Sequence, residues 1–260
     1  MKTGTSLIGP ALCALALSLA SQSGAGADSA PWSLGVGFDY SSGTYGESQS
    51  TDILYIPVIG KYELESWVFK VTVPYISVRG PGNVIPGVGE VNRTAGVITT
   101  QSGLGDIVAA ATYTLYAGDA SAPGWDLTGK VKLGTADPNK GLGTGENDYS
   151  AQVDVYKVFG STTAFGTLGY SILGSSATLQ LNNVFYAAVG ASYKFSDQLS
   201  SGLSLYVRQA ASSTSGQQSD LTAFATYKLD PLWKLQGYVL LGLATGSPDW
   251  AIGAVVGRSF

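Results

Sequence analysis

The chain contains no histidine and one cysteine, Cys13, and only 12% of its residues are charged, about half the ~25% usual for a soluble domain. Each shortage excludes a chemistry. Without histidine there is no Ser-His-Asp triad and no histidine-ligated metal centre. With its cysteine in the first segment, the rest of the chain offers no disulfide and no thiolate nucleophile. Lys and Arg number 14 against 18 Asp and Glu, a formal net charge of −4, and the basic residues are scattered, so no patch for nucleic acid forms. After residue 27 no apolar run approaches the ~18 residues that mark a membrane-spanning helix. These shortages lead us to expect a protein with no enzymatic activity, no catalytic residues, no cofactor and no metal.

What the chain does have is glycine, 35 residues, and tyrosine, 15. Its first residues carry Lys2, then an apolar stretch from Ser6 to Ala20, then the small-residue run around Gly24, Ala25, Gly26 and Ala27. This is the pattern of a secretory signal peptide over residues 1–27, cut before Asp28. Removing it takes away Lys2 and no acid, which moves the formal charge from −4 to −5.

From Pro31 onward the sequence falls into alternating segments of about ten residues, the repeated signature of a transmembrane barrel. In the first, Trp32, Leu34, Val36, Phe38 and Tyr40 share one parity and Ser33, Gly35, Gly37 and Asp39 the other. A period of two turns the first set toward lipid. Segments such as Trp125, Leu127, Val131 and Leu133 against Asp126, Thr128, Lys130 and Lys132 repeat the division. About twelve such strands predict an all-β fold, a transmembrane antiparallel β-barrel over residues 28–260. A membrane-embedded sheet must close so that every backbone group is paired. Closure requires the last strand, residues 250–260, to pair with the first. A chain that stops on an aromatic, here Phe260, inside an alternating strand resembles bacterial outer-membrane barrels, and that resemblance implies that the barrel assembly machinery reads this end as its signal.

Pro57 inside the second segment predicts an edge or a bulge there. The longest interruption, residues 79–103, is rich in Gly, Pro, Asn and Thr, and a stretch of that length inside a compact domain tends to be functional. Here it is expected to be an outer loop able to fold over or into the pore. Short connections at one rim, long loops at the other and an even strand count place both termini on the short-turn, periplasmic rim.

Asp106, Asp126 and Asp154 are candidates for carboxylate acid–base chemistry, but inward acids alternating with inward lysines fit a charge-balanced pore lining better. That predicted lining is Asp39, Lys70, Asp106, Asp126, Lys130, Lys132, Asp154, Lys194, Arg208, Lys228 and Lys234. The mixed signs give no single-sign ladder for sugar acids or phosphates.

Several short motifs occur in order: Ser102-Gly-Leu-Gly-Asp106, Leu133-Gly-Thr-Ala-Asp-Pro138, Gly141-Leu-Gly-Thr-Gly145, Asp148-Tyr149, Lys157-Val-Phe-Gly160 and Gly169-Tyr170. Together they resemble the outer-membrane proteins named for the MetA pathway of phenol degradation, over most of the mature chain. The resemblance implies a small porin-like barrel in the outer membrane of a Gram-negative bacterium, in contact with its lipid. Such a barrel would be a channel for passive uptake of small solutes, aromatic or otherwise hydrophobic. The alternative is a non-conducting structural or surface-binding barrel. Arg258 departs from the family pattern, which commonly has tyrosine two residues before the terminal aromatic.

Overall fold

The computed structural model describes residues 31–91 and 96–260, so the expected signal peptide lies outside the described residues. Fifteen strands are present among the described residues: β1 (Trp32–Gly43), β2 (Thr51–Leu64), β3 (Trp67–Gly80), β4 (Val84–Ile85), β5 (Gly89–Glu90), β6 (Thr99–Leu104), β7 (Ile107–Tyr116), β8 (Gly124–Leu133), β9 (Asp148–Phe159), β10 (Thr162–Ile172), β11 (Val184–Lys194), β12 (Leu199–Arg208), β13 (Gln218–Lys228), β14 (Trp233–Gly242) and β15 (Trp250–Ser259). β4 and β5 pair only with each other. β6 and β7 both pair with β3 and act as one kinked strand. The remainder is a closed antiparallel barrel of twelve strands, each paired with its sequence neighbours.

The seam is β1 against β15, in register from Ser33 opposite Ser259 to Ser42 opposite Trp250. It is finished by the Phe260 amide donating to the Trp32 carbonyl at 2.9 Å. Outward positions are large, apolar and exposed: Trp32, Leu34, Val36 and Phe38 on β1, and Phe185 and Val189 on β11. Aromatic residues gather at both rims. Trp67 packs on Tyr113 at the tight-turn rim and Tyr170 on Phe185 at the other, with ring centroids 4.8 and 4.6 Å apart. Such girdles mark the two interfaces of a membrane barrel.

The connections alternate. One rim carries the tight turns 65–66, 160–161, 195–198 and 229–232, with 117–123 longer; the opposite rim carries 44–50, 81–98, 134–147, 173–183, 209–217 and 243–249.

Two expectations are revised. Pro57 sits inside a central strand, opposite Pro74 of β3. Proline has no N–H to give, and the β1–β2 ladder accordingly skips from Val36↔Val58 to Asp39↔Tyr55. The long interruption is also shorter than 79–103. Arg79 and Gly103 are paired strand residues, opposite Asp52 and Ile76 respectively, and the loop proper is 81–98.

Candidate functional site: the barrel interior and its long-loop mouth

The family motifs meet in one knot of charge. β3 changes partner at Pro74, whose carbonyl accepts the Gly105 amide at 2.8 Å, and Asp106 follows in the break before β7. Lys132 at the end of β8 reaches Asp106 at 2.9 Å and Asp148 at 3.0 Å. Asp106 also accepts the Ala136 amide at 2.9 Å, and Asp148 the Gly174 amide at 2.9 Å. The knot therefore ties β7, β8 and β9 to the bases of loops 134–147 and 173–183. Gly143 is required beside it, because a Cβ there would lie 2.7 Å from the Ala136 side chain and 2.9 Å from an Asp106 oxygen. These motifs hold loops in place, and no phosphate loop is formed.

A second polar group crosses the inner wall of β8 to β11. Lys130 donates to Gln152 Oε1 at 2.8 Å, Gln152 donates to both Asp154 oxygens at 2.8–2.9 Å, and Thr167 donates to Asp154 at 2.5 Å. Tyr186 adds a bond to Gln152 at 3.0 Å, and Lys130 stands 5.1 Å from its ring centre. Asp126 faces Asp154 across the β8–β9 ladder, each 1% exposed.

Of the other residues of the sequence-derived list, Lys70 acts electrostatically on Asp154 and the rest are placed elsewhere. Asp39 is buried on β1 and Lys70 half-buried on β3. Lys194 pairs with Asp197 at 2.6 Å on the tight-turn rim. Lys228 and Lys234 are register partners on β13 and β14 near that rim. Arg208, at the far end of β12, donates to the Gly87 carbonyl at 2.7 Å and the Val88 carbonyl at 3.4 Å. The list is thus dispersed over several separate assemblies and does not form one ring.

Arg208 is the latch of a lid. β4 and β5 form a miniature hairpin within loop 81–98, with Ile85 opposite Gly89. Ile85, Val88 and Val91 are buried against Val184 and Ala211, with Leu173, Leu179 and Leu181 packed alongside. Ser212 adds a hydrogen bond to the Glu90 carbonyl at 3.3 Å. On the facing side, Val84 joins Tyr45, Ile53, Ile76, Ala136 and Leu142 in a separate buried cluster. An apolar hairpin is therefore wedged between loops from both sides of the barrel at its long-loop mouth.

Two measurements probe this lid. A hydrogen bond from a charged donor is worth about 1.5–3 kcal/mol, so Arg208→Ala is expected to raise the open fraction at least ~tenfold, each tenfold step corresponding to ~1.4 kcal/mol. The readout is thiol labelling of Val88→Cys with Cys13, the chain's one natural cysteine, replaced by Ser so that a single thiol is present. The second concerns pH. Burial, with the Glu47 carboxylate beside it, holds the Glu90 carboxyl above its ordinary range. A group whose value is raised on closure stabilises the closed state while protonated and loses that contribution as pH rises through the raised value. Labelling, corrected for intrinsic thiol reactivity, is expected to be slower at mildly acidic than at neutral pH. Glu47→Gln is expected to shrink the difference.

The inner wall is as apolar as it is polar, which parity alone hides. A continuous buried cluster runs from β9 through β15 to β2: Tyr156, Phe165, Phe224, Tyr238, Val255 and Ile59, with Leu240 and Ala251. A large aromatic on the polar parity of its segment, such as Phe224 between Ala223 and Ala225 and flanked by Thr222 and Thr226, was the available signal in the sequence.

These features define the class, a closed outer-membrane-type β-barrel with a small hairpin packed into its long-loop mouth. The sequence matches the family described as "Putative MetA-pathway of phenol degradation" over residues 23–258, and the chain belongs to that family. Among solved structures it is similar to an outer-membrane channel from Pseudomonas putida F1, with TM-score 0.68, 13% identity, and 90% of this chain and 97% of that one covered. It is also similar to the β domain of the Bordetella autotransporter BrkA, with TM-score 0.53, 12% identity, and 90% and 100% covered. The KdgM porin follows, with TM-score 0.51, 13% identity, and 88% and 99% covered. At these identities the likeness is one of fold. No curated protein matches in sequence.

Proposed function

We propose that this protein is an outer-membrane channel for passive uptake of small apolar solutes, aromatic compounds among them. In this reading the long-loop rim and lid face outward and both termini face the periplasm. The observation that carries the proposal is the composition of the interior. A barrel serving only as a structural element has no use for a buried aromatic wall inside it, nor for a separately latched hairpin at its mouth. Small apolar solutes partition onto such a wall at about 25 cal/mol per Å² removed from water, whereas hydrated sugars and ions gain nothing from it. The inward Asp and Lys residues are read as polar patches beside that wall, part of them held in the Lys130–Gln152–Asp154 and Asp106–Lys132–Asp148 networks. Membership of the family named for phenol degradation supports the solute class, and the fold shared with an outer-membrane channel supports the transport role.

The test uses cells with an intact lipopolysaccharide outer membrane. Production of the folded barrel is expected to speed entry of the apolar fluorophore N-phenyl-1-naphthylamine, while hydrolysis of the polar anion nitrocefin by a periplasmic β-lactamase stays at the level of control cells. Equal fluorophore entry with and without the barrel would favour the non-conducting alternative.

The closing strand gives a further expectation about the assembly machinery. Arg258 lies on the outward face, 5.4 Å from the Trp233 ring and 5.0 Å from that of Phe260. At that depth a cation reaches the headgroups at little cost. Phe260 completes both the seam and the girdle. Phe260→Ala is expected to lower the yield of heat-modifiable folded barrel more than Arg258→Ala, and equal yields would contradict the role assigned to Phe260.

A further inference from the structure

One acid of the inner wall stands outside both polar networks. Asp39 of β1 is 4% exposed, its Oδ1 has no hydrogen-bond partner, and among the described residues it makes no ion pair. It lies where the two apolar clusters face each other. Its register partner on β2 is Tyr55, a member of the cluster beside the hairpin, and its partner on β15 is Gly253, between Ala251 and Val255 of the apolar wall. Gly253 is in turn opposite Tyr238 of β14. Tyr238 is thus two strands from Asp39, about 10 Å at the ~4.8 Å strand spacing, with no side chain between them, so one group lying over Gly253 meets both. The Tyr238 hydroxyl is buried and has no partner either. A third tyrosine comes from loop 44–50. Tyr45 has φ 54°, a left-handed conformation uncommon outside glycine, and its ring packs in the same cluster as Tyr55. Burial holds the unpartnered Tyr45 hydroxyl above its ordinary range, opposed by Ser41 and reinforced by Asp39, Asp220 and Asp249. Of these three acids, Asp220 has Arg208 acting on it.

We propose that Asp39, with Tyr45, Tyr55 and Tyr238 around it, is a binding site for the ammonium group of a small amine whose apolar body lies along the adjoining wall. This assigns a solute class to the channel and so rests on the channel reading above. A carboxylate taken out of water is costly until a cation joins it, and no Lys or Arg among the described residues pairs with this one. The faces of tyrosine rings attract a cation through their quadrupole, most strongly where water is excluded. A carboxylate among three rings therefore fits an organic ammonium better than a hydroxyl, which brings no charge, or a second carboxylate, which it repels. A hard metal ion asks instead for six or more oxygen ligands, and no three acids gather to hold one among the described residues. From Tyr238 the buried cluster continues through Phe224, Leu240 and Ala251, which receives the rest of the solute.

The experiment measures equilibrium binding of labelled 2-phenylethylamine to the full chain, folded in detergent micelles at neutral pH. Beside it run 2-phenylethanol and 3-phenylpropanoate, which keep the ring and change the head. The amine is expected to bind at least ~tenfold more tightly than either, the scale of one charge-assisted hydrogen bond. Asp39→Asn keeps the shape of the side chain and is expected to lower amine affinity at least ~tenfold, with 2-phenylethanol unaffected. Tyr238→Leu is expected to weaken amine binding, whereas Tyr238→Phe, which keeps the ring face, retains most of it. Heat-modifiable mobility confirms folding of each variant, and should Asp39→Asn not fold, the Tyr238 pair and the comparison of head groups carry the test. An amine bound equally by wild type and Asp39→Asn overturns the site. So does equal affinity for the three heads, Tyr238→Leu binding as well as Tyr238→Phe, or displacement by calcium chloride at fixed ionic strength as readily as by unlabelled amine. Failure of the channel reading shows elsewhere, as fluorophore entry unchanged by the barrel, and the two failures are told apart because binding in micelles does not depend on passage.

Discussion

Replacing residues 81–98 by Asn-Gly is expected to leave a folded barrel that admits small apolar solutes about tenfold faster, the scale on which loss of a closed-state stabilisation of ~1.4 kcal/mol or more appears. The replacement is geometrically sound, because Gly80 and Thr99 are already register partners at the head of the β3–β6 ladder. A two-residue Asn-Gly turn joins strands at that point with the twist they need. What is lost is the hairpin: its buried Ile85, Val88 and Val91, the two carbonyls held by Arg208, and the Val84 contact with the cluster across the mouth. None of these contributes to the barrel wall. Fluorophore entry per folded barrel, with folding scored by heat-modifiable mobility, is the readout. An unchanged rate would mean that the hairpin does not limit passage.

Lys132→Met is expected to be the most destabilising single substitution outside the apolar wall. It removes the cation from between Asp106 and Asp148 and leaves two carboxylates facing each other in a mostly buried place. Breaking a buried pair from one side costs roughly 3–5 kcal/mol. Lys132 retains 22% side-chain exposure and the acids 13% and 16%, so the lower end, about 3 kcal/mol, applies. The check is a urea titration of heat-modifiable mobility in detergent micelles. Adding Asp106→Asn is expected to recover part of the loss, since the amide removes one of the two stranded charges and its oxygen still accepts from the Ala136 amide. A double variant as unstable as the sum of the singles would show that the three groups do not act together.

How much of this was legible in the sequence depended on what lies on each side of a strand. β8 was readable because Trp125 and Leu127 meet lipid while Asp126 and Thr128 meet the interior, so chemistry and parity agree. β2 was not. Ile53, Tyr55 and Ile59 point inward to the lid and the apolar wall, while Leu54, Ile56 and Val58 point outward, and apolar residues on both parities carry no alternation to detect. The Pro57 gap was foreseeable as an irregularity, but that the missing N–H falls on the β1 side, leaving the β2–β3 ladder unbroken through Pro57 and Pro74, needs the register.

The interior site was less legible than the wall for the same reason of distance. The composition of 79–103 announced an unusual loop. It did not announce that Arg208, 121 residues from Gly87, would hold it. Asp106, Asp148 and the glycines of 141–145 stood out as motifs, but their meeting on Lys132 follows from strand adjacency. The aromatic wall was hidden because an inward aromatic reads as a break in pattern until the glycine beneath it is placed on the neighbouring strand. Charges, the most conspicuous inward residues in the sequence, proved to be distributed among separate structural tasks.

The central claim is that this barrel passes small apolar solutes and holds back polar ones. The most direct measurement compares N-phenyl-1-naphthylamine entry with nitrocefin hydrolysis in the same cells, at matched amounts of folded wild-type and lidless barrel. The account predicts fluorophore entry rising from cells without the barrel, to wild type, to the lidless form, with nitrocefin hydrolysis unchanged in all three. Fluorophore entry that does not rise in either form, or nitrocefin entry that rises as steeply, would contradict it.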